Sequence, residues 1–185
     1  MQGAVEEARG KLVELAAESD DTLLEKYLET LELSPEETLS GLRRGIAQGK
    51  IFPVVPVSGE KNRGASVLLR LIVEYGPSPK DVPGVKVTRP GDAEPKRLAA
   101  DPAGPLAARI FKVSSDLTAQ EMALLRVFSG TIASGSDVYN SSNDNTERVG
   151  QLYHFLGKER SDAEKLPAGE IGAVAKLKTT GLNET

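Results

Sequence analysis

The segment that decides the fold of the C-terminal half of this chain is Leu-Leu-Arg-Val-Phe-Ser-Gly-Thr-Ile-Ala-Ser-Gly-Ser-Asp-Val-Tyr-Asn, residues 124–140. Its first part, Leu124 to Phe128, is rich in residues that favour β-strands, and Gly130 interrupts it. Ser134-Gly135 is typical of a turn, and Asp137-Val138-Tyr139 follows as a second strand. The segment therefore predicts two short strands joined by a turn.

Further strand signals surround this segment. Residues 146–155 read as one strand, in which the offset of Val149 from Leu152 indicates a bulge. Residues 171–177 would place Ile171, Ala173, Ala175 and Leu177 on one face, and residues 119–120 fall in a loop. Short strands are predicted at residues 86–88 and 95–98, and residues 106–113 are strongly strand-like. Six or so short strands with turns between them predict a small, closed, antiparallel β-barrel.

The first fifty residues predict helices instead. The clearest start is at Ser34, with Pro35 in the first helical position and Glu37 completing a capping box. The apolar run Ile-Phe-Pro-Val-Val-Pro-Val, residues 51–57, then predicts a strand, either buried on both faces or at an edge because of its prolines. A loop and an amphipathic helix through Tyr75 follow. This strand has no earlier strand to pair with, which predicts an incomplete domain.

Residues 76–84 contain three prolines and two glycines and mark a linker. The expected fold class is α+β in two parts: an α-helical, partial α/β segment at residues 1–80, a linker at 81–91, and a β-barrel at 92–185. The formal charge of -4 does not indicate a strongly basic nucleic-acid-binding protein. There is no cysteine, the single histidine is His154, and no long apolar run is present, so we expect a cytoplasmic protein without a metal site.

Several motifs resemble those of elongation factor G, a translational GTPase. Arg-Val-Phe-Ser-Gly-Thr-Ile at residues 126–132, with Val-Tyr-Asn at 138–140, resembles the signature of the second domain of that family. Val-Ser-Gly-Glu-Lys-Asn-Arg-Gly-Ala at residues 57–65, with Pro-Ser-Pro at 77–79, is similar to the end of its nucleotide domain. The motifs occur in the order of the family along nearly the whole chain.

The resemblance implies that residues 1–80 are the C-terminal part of a GTPase domain with its inserted helical subdomain. Residues 92–185 would be domain II, with a final strand expected beyond Thr185. The phosphate loop Gly-x-x-x-x-Gly-Lys-Thr and the guanine-reading motif Asn-Lys-x-Asp are absent from the sequence. We therefore expect no catalytic residue and no cofactor here, with GTP and magnesium bound only by the intact protein.

The resemblance also suggests site residues and partners. Ser58, Gly59 and Glu60 correspond to a loop that contacts guanine in the intact protein, whereas in this piece alone they are expected to form an ordinary loop between a strand and a helix. Arg148, Lys158 and Arg160 are candidates for contacts with small-subunit ribosomal RNA, against the alternative of a solvated loop. The expected partner is the ribosome, with no membrane contact and a monomeric state.

Three functions remain open from the sequence. The first is a piece of a GTPase that promotes translocation of tRNA and mRNA, the piece itself being a structural, ribosome-contacting module. The second is a related ribosome-protection or recycling factor. The third is a free-standing β-barrel binding module, which would have to leave residues 51–57 exposed or cover them by dimerisation. Arg126 and Ser129 have no partners for catalysis and are interpreted as framework residues.

Overall fold

The computed structural model describes residues 2–88, 91–92, 94–115, 121–175 and 177–185. The chain divides into two compact units, Met1–Val82 and Pro83–Thr185. The loop predicted at residues 119–120 lies outside the described residues.

The first unit is helical. Asp20 caps its second helix by accepting the amide hydrogens of Thr22 and Leu23. The capping box at Ser34 is confirmed: its hydroxyl accepts the Glu37 amide at 3.2 Å, while the Glu37 carboxylate accepts the Ser34 amide at 2.8 Å. The helices are α1 Gln2–Ala17, α2 Asp21–Thr30, α3 Pro35–Ala47 and α4 Ala65–Tyr75.

The strand predicted at residues 51–57 is wrong. These residues form no strand, and Phe52 and Val54 are 78% and 92% exposed. A strand needs a neighbour to satisfy its backbone groups, and the described part of this unit contains only an isolated bridge between Ser58 and Arg63. The prolines in the run also lack the N–H that pairing requires.

The second unit consists of antiparallel strands. A five-stranded sheet has the order β3-β4-β11-β8-β9, and three further pairs are β1–β2, β5–β10 and β6–β7. The strands are β1 Val85–Val87, β2 Lys96–Leu98, β3 Ala107–Ser115, β4 Glu121–Ser129, β5 Thr131–Ala133, β6 Asp137–Asn140, β7 Asn145–Arg148, β8 Leu152–Leu156, β9 Glu159–Ala163, β10 Lys165–Pro167 and β11 Ile171–Ala175.

The segment at residues 124–140 thus contributes three strands rather than two. Gly130, at a φ of 74°, separates β4 from β5, and a turn at Ser134-Gly135 leads into β6. The left-handed backbone at Gly130 costs a glycine little, which is why the chain can change direction there. The strand signal in this segment is confirmed, and the count of strands is corrected.

One finer strand prediction is wrong, and another is confirmed only in part. Residues 146–155 form β7 and β8 rather than one bulged strand, because the Val149 amide leaves the ladder and donates to the Ser136 carbonyl at 2.8 Å. In β11, Ile171, Ala173 and Ala175 share a face as predicted, but the strand ends at Ala175 and burial does not alternate along it: all residues from Gly172 to Ala175 are buried. One reason is that Ala173, although on the outer face, lies between the larger Leu124 and Tyr153 of the flanking strands.

The strand pairs among the described residues form separate sheets, and the predicted closed barrel is not confirmed. The C-terminal residues link two of them. The Asn183 amide donates to the Ile110 carbonyl of β3 at 2.9 Å, and the Ser141 amide, just after β6, donates to the Thr185 carbonyl at 2.9 Å. The core lies beneath these elements and includes the fully buried Val127, Leu152 and Leu166.

Candidate functional site

The predicted guanine-contacting residues lie in a tight loop before α4. Ser58 and Arg63 exchange backbone hydrogen bonds of 2.9 and 3.0 Å, which brings the two ends of the loop together. Asn62 and Gly64 both have positive φ, at 49° and 78°, and Gly64 occupies the N-cap of α4 without a side-chain cap. The loop therefore has a defined shape of its own.

The tip of this loop offers unused amide donors. The amides of Gly59 and Glu60 donate to no acceptor within the described residues, and both residues are exposed. A methyl group added at Gly59 would meet no atom within 4 Å. Two free, exposed N–H groups can bind an acceptor such as a ring carbonyl oxygen, which is the chemistry that the sequence resemblance suggests.

The three candidate RNA-contacting residues do not all lie on one element. Lys158 occupies the turn between β8 and β9, and Arg160 lies on β9, opposite Phe155. The Arg160 guanidinium is 5.2 Å from the centre of the Tyr153 ring, a cation–π distance. Arg148 ends β7 and belongs to a different sheet. Lys158 and Arg160 therefore belong to a β-hairpin rather than to the solvated loop that the sequence offered as an alternative.

A buried carboxylate that the sequence does not single out organises the C-terminal segment. Glu147 accepts hydrogen bonds from the Lys178 amide, from the Thr179 amide and hydroxyl at 3.2 and 3.1 Å, and from the Thr180 hydroxyl at 2.6 Å. Burial alone raises the pKa of this carboxyl, but these hydrogen bonds together hold its pKa below the ordinary value of 4.5. Glu147 therefore anchors this segment as an ionised group.

The outer face of the five-stranded sheet carries a basic and aromatic surface that sequence analysis missed. On β4, Val127 is buried while Arg126 and Phe128 point away from the core, and Arg109 of β3 faces Arg126 across the ladder. A shallow cavity of about 440 Å³ is lined by Arg109, Phe111, Arg126, Phe128, Ile171 and Asn183. The spacing of arginine and phenylalanine two residues apart, repeated in two strands, was the available signal.

A second cavity, of about 650 Å³, lies inside the same unit, and its wall includes the core residues Ile110, Leu125 and Val174. Such a wall suits an apolar occupant. Within the described residues, no cluster of three or more histidine and acidic side chains is placed to hold a metal ion. None of the helices described is both long and apolar enough to cross a bilayer.

Comparison with known proteins identifies relatives of both units. The sequence profile of the family described as Elongation factor G domain 2 matches residues 105–185. A crystal structure of a protein from Thermus thermophilus is similar over 99% of this chain, with 30% sequence identity and a TM-score of 0.75. The chain spans 25% of the length of that protein.

Proposed function

We propose that this chain is part of a translational GTPase that promotes movement of tRNA and mRNA on the ribosome in the cytoplasm, because the sequence profile of the elongation factor G domain 2 family matches residues 105–185. In this proposal the first unit is the C-terminal part of the nucleotide domain, and the second unit is domain II. The family match carries the proposal.

The first unit supports this assignment through its exposed apolar residues. No residue of α4 is buried, although the helix is strongly apolar: Leu69, Ile72 and Val73 are 63%, 55% and 81% exposed. Together with the exposed run at residues 51–57, this surface suits packing against further protein, such as the rest of a nucleotide domain. The free amides of Gly59 and Glu60 would then lie in its guanine-contacting loop.

The isolated chain is expected to give no measurable heat when titrated with GTP and magnesium in a calorimeter. Nucleotide phosphates need a phosphate loop with its lysine and magnesium-holding hydroxyl, and the sequence contains none. Two free amides alone offer too few contacts to replace it. A micromolar affinity for GTP would contradict this expectation.

The role of the second unit is tested by co-sedimentation of the chain with small ribosomal subunits at low salt. Phosphate contacts by Arg148, Lys158 and Arg160 predict that the triple substitution to alanine weakens binding and lowers its salt dependence. Substitution Lys86→Ala at an exposed position of β1 removes a charge elsewhere in the unit and serves as the control. Absence of co-sedimentation by the unchanged chain would contradict the proposal.

A further inference from the structure

A row of side chains crosses the outer face of the whole five-stranded sheet. Arg109 of β3 faces Arg126 of β4, which faces Ile171 of β11. Continuing the register of β11 with β8 sets Phe155 beside Ile171, and Phe155 faces Arg160 of β9. With neighbouring strands about 4.8 Å apart, the row is about 19 Å long. It is basic at both ends and apolar in the middle.

Among the described residues, no carboxylate compensates the charges of the two neighbouring arginines, Arg109 and Arg126. Like charges that face each other across a ladder repel, and neither guanidinium forms an ion pair with a carboxylate among the described residues. Within the described part of the chain, the Arg109 side chain donates to the Asn183 side-chain oxygen alone, at 3.4 Å. The Nε of Arg126 is buried and donates to no described acceptor. An anionic partner at this face would relieve this repulsion.

Aromatic rings accompany these charges. Three of the four phenylalanines of the chain, Phe111, Phe128 and Phe155, belong to this outer face. Phe111 and Phe155 are 45% and 40% exposed, and the Arg126 guanidinium lies 5.4 Å from the centre of the Phe128 ring. Exposed rings on a flat sheet are surfaces on which unpaired bases can stack.

We infer that this face, defined by Arg109, Phe111, Arg126, Phe128 and Phe155, binds single-stranded RNA. The arginines contact phosphates, and the exposed rings stack against bases. The inference rests on the proposed function, because it names an unpaired stretch of RNA as what the second unit contacts. It differs from the contacts expected of Arg148, Lys158 and Arg160, of which only Arg160 borders this face.

RNA is favoured over an acidic protein by the alternation of charge and ring. Arg109 and Phe111, like Arg126 and Phe128, are two residues apart on one strand, and the Arg126 guanidinium lies 5.4 Å from the centre of the Phe128 ring. A nucleotide carries a phosphate and a planar base within a similar distance, so each pair can engage both parts of one nucleotide. An acidic peptide would use the arginines and leave the rings without a stacking partner.

The experiment is an NMR titration of the 185-residue chain with an unstructured RNA of about twelve nucleotides, matched to site sizes of sheet-based binders. Amide signals of β3, β4 and β11 are expected to shift. Substitution Phe111→Ala should weaken binding about fivefold or more through lost stacking. Substitution Arg109→Ala should lower the slope of log affinity against log salt by about 0.7. Both residues are exposed, and unchanged spectra of the free variants verify folding.

The control Lys86→Ala also removes one positive charge, but from β1, outside the face. It should change the affinity for RNA by less than about twofold. Shifts confined to Arg148 and Lys158 would overturn the inference and leave the proposed function intact. If the chain co-sediments with small subunits but does not bind the RNA, the inference is likewise overturned and the proposed function stays intact. Equal shifts of this face with polyglutamate would also overturn it. Loss of both RNA binding and co-sedimentation would refute both proposals.

Discussion

Substitution Gly130→Ala is expected to lower the free energy of unfolding of the second unit by about 2–5 kcal/mol, from left-handed strain and overpacking together. Gly130 has a φ of 74°, and its amide donates to the Asp101 carbonyl at 2.8 Å. A methyl group there would lie 2.6 Å from the Cα of Leu106 and 2.9 Å from the Gly104 carbonyl oxygen. These are backbone atoms, so the loop before β3 would have to move.

Gly135 supplies a matched control in the same segment. Its φ is also 74°, but the nearest atom to an added methyl group is the flexible end of Arg148 at 3.8 Å. Gly135→Ala should therefore lower the free energy of unfolding by the cost of the left-handed backbone alone, about 1–2 kcal/mol. Urea unfolding followed by NMR amide signals of β4 and β11 measures both variants, with signals of α3 as a reference in the other unit. Equal losses in the two variants would show that the close approach at Gly130 has no cost.

The elements predicted best from the sequence are those whose signal is local. The capping box at Ser34 and the helix α4 depend on residues within one or two turns, and both are confirmed. The strand at residues 51–57 was predicted from equally apolar residues and is wrong. A strand depends on a neighbouring strand, which no local pattern supplies. The same reason explains why the pairing of β5 with β10, which sets Thr131 against Pro167, was not foreseen.

The candidate site could be predicted only in part, and for a different reason. Motif resemblance pointed to Ser58, Gly59 and Glu60, and the geometry of their loop is compatible with that role. Motif resemblance did not identify Arg109 and Phe111. These two residues lie beside Arg126 and Phe128 only because β3 pairs with β4 in a particular register. The register contains shifts near Ala107 and between Ile110 and Lys112, which a periodicity argument cannot locate. The alternation within each strand was readable, but the alignment between strands was not.

Substitution Glu147→Gln is expected to lower the free energy of unfolding of the second unit by about 1.5–3 kcal/mol at neutral pH, the range for a hydrogen bond to a charged group. Each oxygen of the Glu147 carboxylate accepts two hydrogen bonds from the segment that contains Lys178, Thr179 and Thr180. A glutamine amide keeps one accepting oxygen and places an NH₂ donor opposite groups that also donate. The same segment is tied to β6 through Asn140, whose side chain donates to Thr180 at 3.0 Å.

The effect of this substitution should depend on pH in a defined direction. Hydrogen bonds hold the pKa of Glu147 below its ordinary value of 4.5 in the folded state. A group with a lowered folded pKa stabilises the protein above its unfolded pKa, and this contribution disappears as the pH falls through the folded pKa. The difference in unfolding free energy between the unchanged chain and Glu147→Gln should thus be largest above about pH 5 and shrink toward about pH 3.

Urea unfolding at several pH values, again followed by amide signals of β4 and β11, measures this difference. Glu159→Gln is the matched control, since Glu159 is an exposed carboxylate on β9 and its neutralisation should change stability by less than about 0.5 kcal/mol. Glu184 also has a lowered pKa, chiefly from the Gly181 amide and the Asn140 side chain, and the Glu147 charge acts on it in the opposite direction. Both proteins are therefore compared in a Glu184→Gln background, in which Glu184 does not titrate. If the difference in unfolding free energy between the chains with and without Glu147→Gln stays constant from about pH 7 to about pH 3, Glu147 contributes by its shape rather than by its charge. A difference that shrinks would show that an ionised carboxylate holds the C-terminal segment against β7.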